Sequence, residues 1–178
     1  MIRLFAALPI PDDIGVALAR RQTGVEGARW RPLDALHVTL RFFGDIREDF
    51  ARDLDAELTT LRGQAFDIEL SGVGAFGEGP DIHALWAGVA ESEPLRRLAK
   101  ACESAARRAG LKPDTRHYRP HLTLAYLRHP VPTEVAAWVQ ANNLLKSPPI
   151  RITSFGLYSS FLGSEQAHYR LEAEYPLV

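Results

Sequence analysis

A four-residue phrase, His-x-Thr-Leu, occurs twice, at His37–Leu40 and His121–Leu124, each time inside a run with the character of a buried strand. The flanking stretches are "ALHVTLRFFG" and "RPHLTLAYLR". The two histidines lie 84 residues apart, and so do Phe66 of "FDIELSG" and Ile150 of "IRITSFG". At that offset Gly72 falls on Gly156. A helical pattern follows each His-x-Thr run, and an alternating run with the matched glycine follows that. A chain written this way is constrained to two similar α+β halves. The expected fold is therefore α+β, with two pseudo-symmetric lobes around a central groove. Each lobe would be an antiparallel sheet with helices outside. Residues 1–178 would form one bilobal domain by internal duplication, with the motifs at 37–39 and 121–123.

The remaining pattern fits that frame. A first strand is expected over Arg3–Leu8, ended by Pro9 and Pro11. Asp12 or Asp13 would cap a helix running to about Arg21. The first motif strand would span Ala35–Phe43 and stop at Gly44. Apolar residues at helical spacing (Phe50, Leu54, Leu58, Leu61) predict a helix over Arg47–Leu61. "AFDIELSGVGAFG" and "DIHALWAGV" read as single strands. Glu91–Ala109 reads as a long helix closed by Gly110. The second motif strand, a shorter helix over Pro132–Gln140, and the strands "IRITSFGLYS" and "QAHYRLEAEYPL" complete the chain. Trp86 and Trp138 are expected in the core.

Strand side chains alternate between faces. Strict alternation puts His37, Thr39, Arg41 and Phe43 on one face, against Val38, Leu40 and Phe42. It puts His121 and Thr123 opposite Leu122, Leu124 and Tyr126. The branched and aromatic second sets read as core, which leaves histidine and threonine together on the other face, twice. A lone strand histidine usually packs structurally, but two copies in equivalent strands favour chemistry. Imidazoles titrate near pH ~6.5, so one can accept a proton while the other donates. Threonine hydroxyls at the second following position can donate to phosphate oxygens. A nearby arginine would stabilise charge developing there. The outline is a metal-free phosphoester site. Zinc would need further ligands, and no spacing organises His83, His117, His129 and His168 for that task. "GVGAFGEG" lacks the Lys-Ser/Thr ending of a P-loop, so no ATP site is expected.

The charge balance, −1 overall, excludes a generally basic nucleic-acid binder and makes any RNA contact local. The single cysteine, Cys102, permits no internal disulfide and fits a cytoplasmic location. No apolar run approaches the roughly 20 residues of a membrane span. The N-terminus lacks a signal-peptide cleavage pattern. No long heptad pattern points to a coiled-coil dimer, and a monomer is expected.

The sequence resembles the two-histidine phosphoesterase superfamily, and within it the RNA 2′,3′-cyclic phosphodiesterases, also called 2′-5′ RNA ligase-like proteins. "RLFAALPIP", a Trp and a Pro before "LHVTLRFFG", "ALWAGV", "RPHLTLA" and "LYSS" carry the resemblance across nearly the whole chain. It implies opening of a terminal 2′,3′-cyclic phosphate on RNA, tRNA halves or nucleotides to a 2′-phosphate, without cofactor or metal. It also implies weak reversible 2′-5′ ligation. By that resemblance His37 is the proton donor and His121 the proton acceptor, with Thr39 and Thr123 on the phosphate. The residues themselves leave the order of the two histidines open. Several relatives carry an arginine five residues after the second histidine. Here that position is Tyr126, with Arg128 two further on, and both are candidate substrate contacts. Arg119 is therefore the first candidate phosphate ligand and Arg41 the second, while Arg29, Arg31 and Arg116 lie on the approaches. Trp30 and Phe43 are candidates to stack a base. Two other readings share these features: cleavage of 2′-5′-linked oligonucleotides or other cyclic phosphates, and a non-catalytic nucleotide- or RNA-binding module.

Overall fold

A computed structural model describes residues 1–178. The elements are β1 (Ile2–Pro9), α1 (Asp12–Ala19), β2 (Arg29–Trp30), β3 (His37–Ile46), α2 (Glu48–Thr59), β4 (Phe66–Ile68), β5 (Leu70–Phe76), β6 (Ala84–Val89), α3 (Glu93–Arg108), β7 (His121–Tyr126), α4 (Pro132–Asn142), β8 (Ile150–Ile152), β9 (Ser154–Leu162) and β10 (Ala167–Pro176). β1 is buried on both faces from Leu4 to Leu8. Helical spacing buries Leu54 and Leu58 of α2, and Leu95, Leu98, Ala99, Cys102, Ala105 and Ala106 of α3, in one core cluster. Ser92 caps α3, its hydroxyl accepting from the Leu95 N–H at 3.3 Å. Gly110, at φ 88°, closes that helix in a conformation that favours glycine.

The sheet runs β10-β9-β1-β3-β7-β6-β5, with β2 added beside β7. All its ladders are antiparallel. A single pairing, Val38 with Leu122, joins β3 to β7. Those partners are equivalent under the sequence offset. A second, two-stranded sheet pairs β4 with β8, centred on Asp67 opposite Arg151, again offset equivalents, 84 positions apart. A local two-fold axis therefore relates the halves. The final strand of each repeat crosses over: β5 pairs with β6 of the second half, and β9 pairs with β1 of the first.

Several elements depart from expectation. The runs read as single strands divide into β4 and β5, and into β8 and β9, because the short leading strands leave the main sheet to pair with each other. Gly44 does not end β3; it takes φ 80° and the strand continues to Ile46. No side chain caps α1, which starts after Pro11. Trp138 is buried as expected, whereas Trp86 is only half-buried, its ring lying over Gly74 where a Cβ would meet it at 2.2 Å. No helix is long and apolar enough to cross a membrane.

Candidate active site

The Val38–Leu122 junction puts the N-terminal ends of β3 and β7 side by side. His37, Thr39, His121 and Thr123 consequently line one cavity of about 810 Å³. The His121 imidazole is anchored by the carbonyl two residues before it: Nδ1 donates to the Arg119 carbonyl at 2.7 Å. A carbonyl only accepts, so that nitrogen carries the proton when the ring is neutral, and the other is left with a lone pair. Aromatic rings hold each imidazole in place. Phe5 stacks on His37 at 4.8 Å and Tyr169 meets it edge-on at 5.3 Å. Phe76 meets His121 edge-on at 4.8 Å.

Burial, with the Arg31 guanidinium adding to it, lowers the His37 pKa to about 4. The backbone at Ala35 opposes that shift, and His121 contributes a smaller repulsion. His37 is thus neutral at pH 7. In this state the ring has one nitrogen free to receive a proton.

Strict alternation fails at an equivalent place in each motif strand. On β3, Thr39 faces Ala7 and Arg41 faces Ala6, so Leu40 is an extra residue. On β7, Thr123 faces Trp86 and Ala125 faces Leu85, so Leu124 is extra. These bulges are offset equivalents, and each reverses the facing of the residues beyond it. Phe42, expected in the core, and Tyr126, read by alternation as core and also taken as a candidate substrate contact, emerge 43% and 39% exposed. Both line the cavity. A second bulge at Phe43, between the Leu4 and Phe5 pairings, keeps Phe43 against the core.

The same bulge corrects Arg41. Its side chain, 9% exposed, touches the cavity wall but is fully engaged. Nε donates to Glu103 at 2.5 Å, one terminal nitrogen to the Lys112 carbonyl at 2.8 Å, and the other to the Phe42 carbonyl. Phe43 lies under that guanidinium and lines neither of the two principal cavities. Arg128 is exposed beyond the end of β7 and lines neither of them either. Trp30 is half-buried against the core, 6.0 Å from Trp138, and lines only the second cavity. Arg119 does line the first cavity, over Phe76 at 5.7 Å and with no ion pair. Lys100 also lines it without an ion pair. The second cavity, about 760 Å³, meets the first at Arg31, His37, Thr39, Phe42, Tyr126 and Tyr169. Sequence reasoning passed over Phe42 and Tyr169, and gave Arg31 no more than a place on the approach. Arg31 carried one signal: it directly precedes Pro32 in a segment leading to a motif strand.

Fold and site together define a two-fold α+β protein with paired histidines in a shared groove. The sequence profile of the 2′-5′ RNA ligase superfamily matches residues 10–160, and the chain belongs to that superfamily. An Archaeoglobus fulgidus protein named RNA 2′,3′-cyclic phosphodiesterase is 28% identical over 172 residues, covering 95% of this chain and 97% of that one. A Thermus thermophilus protein of the same name is 34% identical over 148 residues, covering 74% and 71%. The crystal structure of Escherichia coli LigT complexed with 3′-AMP superposes with a TM-score of 0.79 at 24% identity, covering 99% and 98% of the two chains.

Proposed function

We propose that this protein hydrolyses the terminal 2′,3′-cyclic phosphate of RNA to a 2′-phosphate, with His37 and His121 as the acid–base pair. One observation carries the reading: a single strand junction brings two imidazoles, one anchored by a carbonyl, and two threonine hydroxyls to one cavity. The names of the relatives support the substrate. One imidazole takes a proton from water as its oxygen attacks phosphorus. The P–O3′ bond breaks, and the other imidazole protonates O3′. Thr39 and Thr123 donate to the non-bridging oxygens, and Arg119 and Lys100 add positive potential to the wall. Each proton transfer contributes roughly 10²–10⁴-fold. With a 5′-hydroxyl in place of water, the same steps form a 2′-5′ linkage. One chain of two lobes, arisen by internal duplication, completes the site and acts as a monomer. No metal is required by these steps.

The neutral state of His37 makes it the acceptor in the free protein. The donor role that the family resemblance implies requires proton uptake when an anion binds beside Arg31.

Cleavage of 2′-5′-linked oligonucleotides is the second reading. It is favoured by the second cavity, which adjoins the first at His37 and offers room for a further nucleotide.

The test is incubation, in chelator, with RNA ending in a 2′,3′-cyclic phosphate, with the terminus identified by mass and phosphatase sensitivity. A 2′-phosphate, formed by the wild type and lost in both His37→Ala and His121→Ala, is the expected result. Binding without opening by the wild type would defeat the reading in favour of a binding module.

A further inference from the structure

Arg31 is the one charged residue in the protein's buried interior, 7% exposed. The comparably shielded Arg41 is matched by Glu103. Arg31 takes part in none of the protein's ion pairs. Its side chain makes one hydrogen bond, to the Tyr169 hydroxyl at 2.8 Å. The guanidinium sits between the rings of Tyr126 and Tyr169, at 5.3 and 5.4 Å. A shielded cation without an anion is unfavourable. Its unused donors still touch open space, since Trp86 Nε1 is the sole side-chain polar atom both fully buried and unpartnered.

The backbone beneath this side chain is fixed. The Arg31 N–H donates to the Leu124 carbonyl at 2.8 Å. Gln22 Nε2 donates to the Arg31 carbonyl at 2.9 Å. The residue borders both cavities where they meet at His37. A pre-positioned guanidinium fork with free donors and no counter-charge matches the paired oxygens of a phosphoryl group.

We propose that Arg31 is the phosphate-binding residue of the groove, holding the non-bridging oxygens of a phosphate monoester or cyclic diester beside His37. The proposal deepens the phosphoesterase reading and rests on it for the site's chemistry. The tyrosine rings keep the fork in plane, and the bound anion supplies the missing charge. Charge building on those oxygens during P–O3′ cleavage then meets a donor that needs no rearrangement.

The test is titration calorimetry with inorganic phosphate and then adenosine 2′-monophosphate, on wild type, Arg31→Met and Arg31→Lys. Methionine keeps the volume and removes the charge. Its affinity for both probes is expected to fall at least ~30-fold, and its kcat/KM roughly 10²–10³-fold. Its melting temperature without ligand should hold or rise, since an uncompensated charge has gone. Lysine keeps the charge without the fork and should fall between the two. In wild type labelled with ¹⁵N-arginine, phosphate should shift the Arg31 Nε–H signal. That measurement decides even if the variants do not fold. Unchanged affinity in Arg31→Met, no phosphate binding by the wild type, or an unmoved Arg31 signal overturns the proposal. Cyclic-phosphate opening by the wild type with normal binding by Arg31→Met removes Arg31 and leaves the enzyme reading standing. Arg31-dependent phosphate binding without any opening does the reverse.

Discussion

His37 is held below its usual pKa by burial first and by Arg31 second, at about 4. That value has a consequence for folding. The unfolded chain binds the proton near pH ~6.5, before the folded protein does. Stability contributed by the neutral ring is complete above that pH and is lost as pH falls toward the folded value. Up to about 3 kcal/mol is at stake. Urea unfolding at pH 7 and pH 4.5 should show a steeper loss in wild type than in His37→Gln. Arg31→Met should move the wild-type curve toward the variant, because one of the two causes of the shift is removed. Rates separate the proton roles. A His37 that acts as acceptor must be deprotonated, so it sets the acid limb and the rate rises as pH passes its pKa. A His37 that becomes the donor on binding anion must be protonated, so it sets the alkaline limb of kcat and the rate falls above its pKa. The two histidines and two threonines were legible because their phrase repeats. The role of Arg31 was not, because a charge in "RWRP" looks like any surface arginine until the tyrosines from β7 and β10 close around it.

At the scale of the strand, the decisive features are the bulges at Leu40 and Leu124. Neither "TLRFF" nor "TLAYL" contains the glycine or proline that would announce a bulge. The extra residues are specified by partner strands distant in sequence, β1 and β6, so local alternation could not find them. Their effect is to turn an aromatic ring into the groove from each strand and to turn Arg41 toward α3. Two predictions separate these fates. Phe42→Ala and Tyr126→Ala should each raise KM for an RNA end by a factor corresponding to about 1–3 kcal/mol of stacking, with little change in melting temperature. Arg41→Met should do the opposite, losing about 1–3 kcal/mol of stability in thermal or urea unfolding while KM stays put. A change in KM from Arg41→Met without a change in stability would show that its bonds to Glu103 and Lys112 open for substrate.

The whole molecule follows from the offset between its halves, but the sequence reading took each half as its own sheet. The offset was legible in Phe66 and Ile150 and in the two motifs. The exchange was not, because β5–β6 and β1–β9 pairing is decided by which edge each strand meets, and the residues of β5 and β9 fit either. Exchange makes each half depend on the other: without the second half β5 has no ladder partner, and without the first β9 loses β1. The β3–β7 pairing is itself a single residue pair, so the β2–β7 ladder, the exchanged strands and the shared core must hold the halves in place. A cut in the Gly79–Asp81 turn separates the repeats while leaving every strand intact. Residues 1–79 and 80–178 expressed separately should show no cooperative melting. Co-expressed, they should associate one to one, melt cooperatively and recover turnover of the RNA 2′,3′-cyclic phosphate. A first fragment that melted cooperatively by itself would mean that its own strands suffice as a sheet. The histidine pair would then be a docking of two finished domains rather than the product of one interleaved fold.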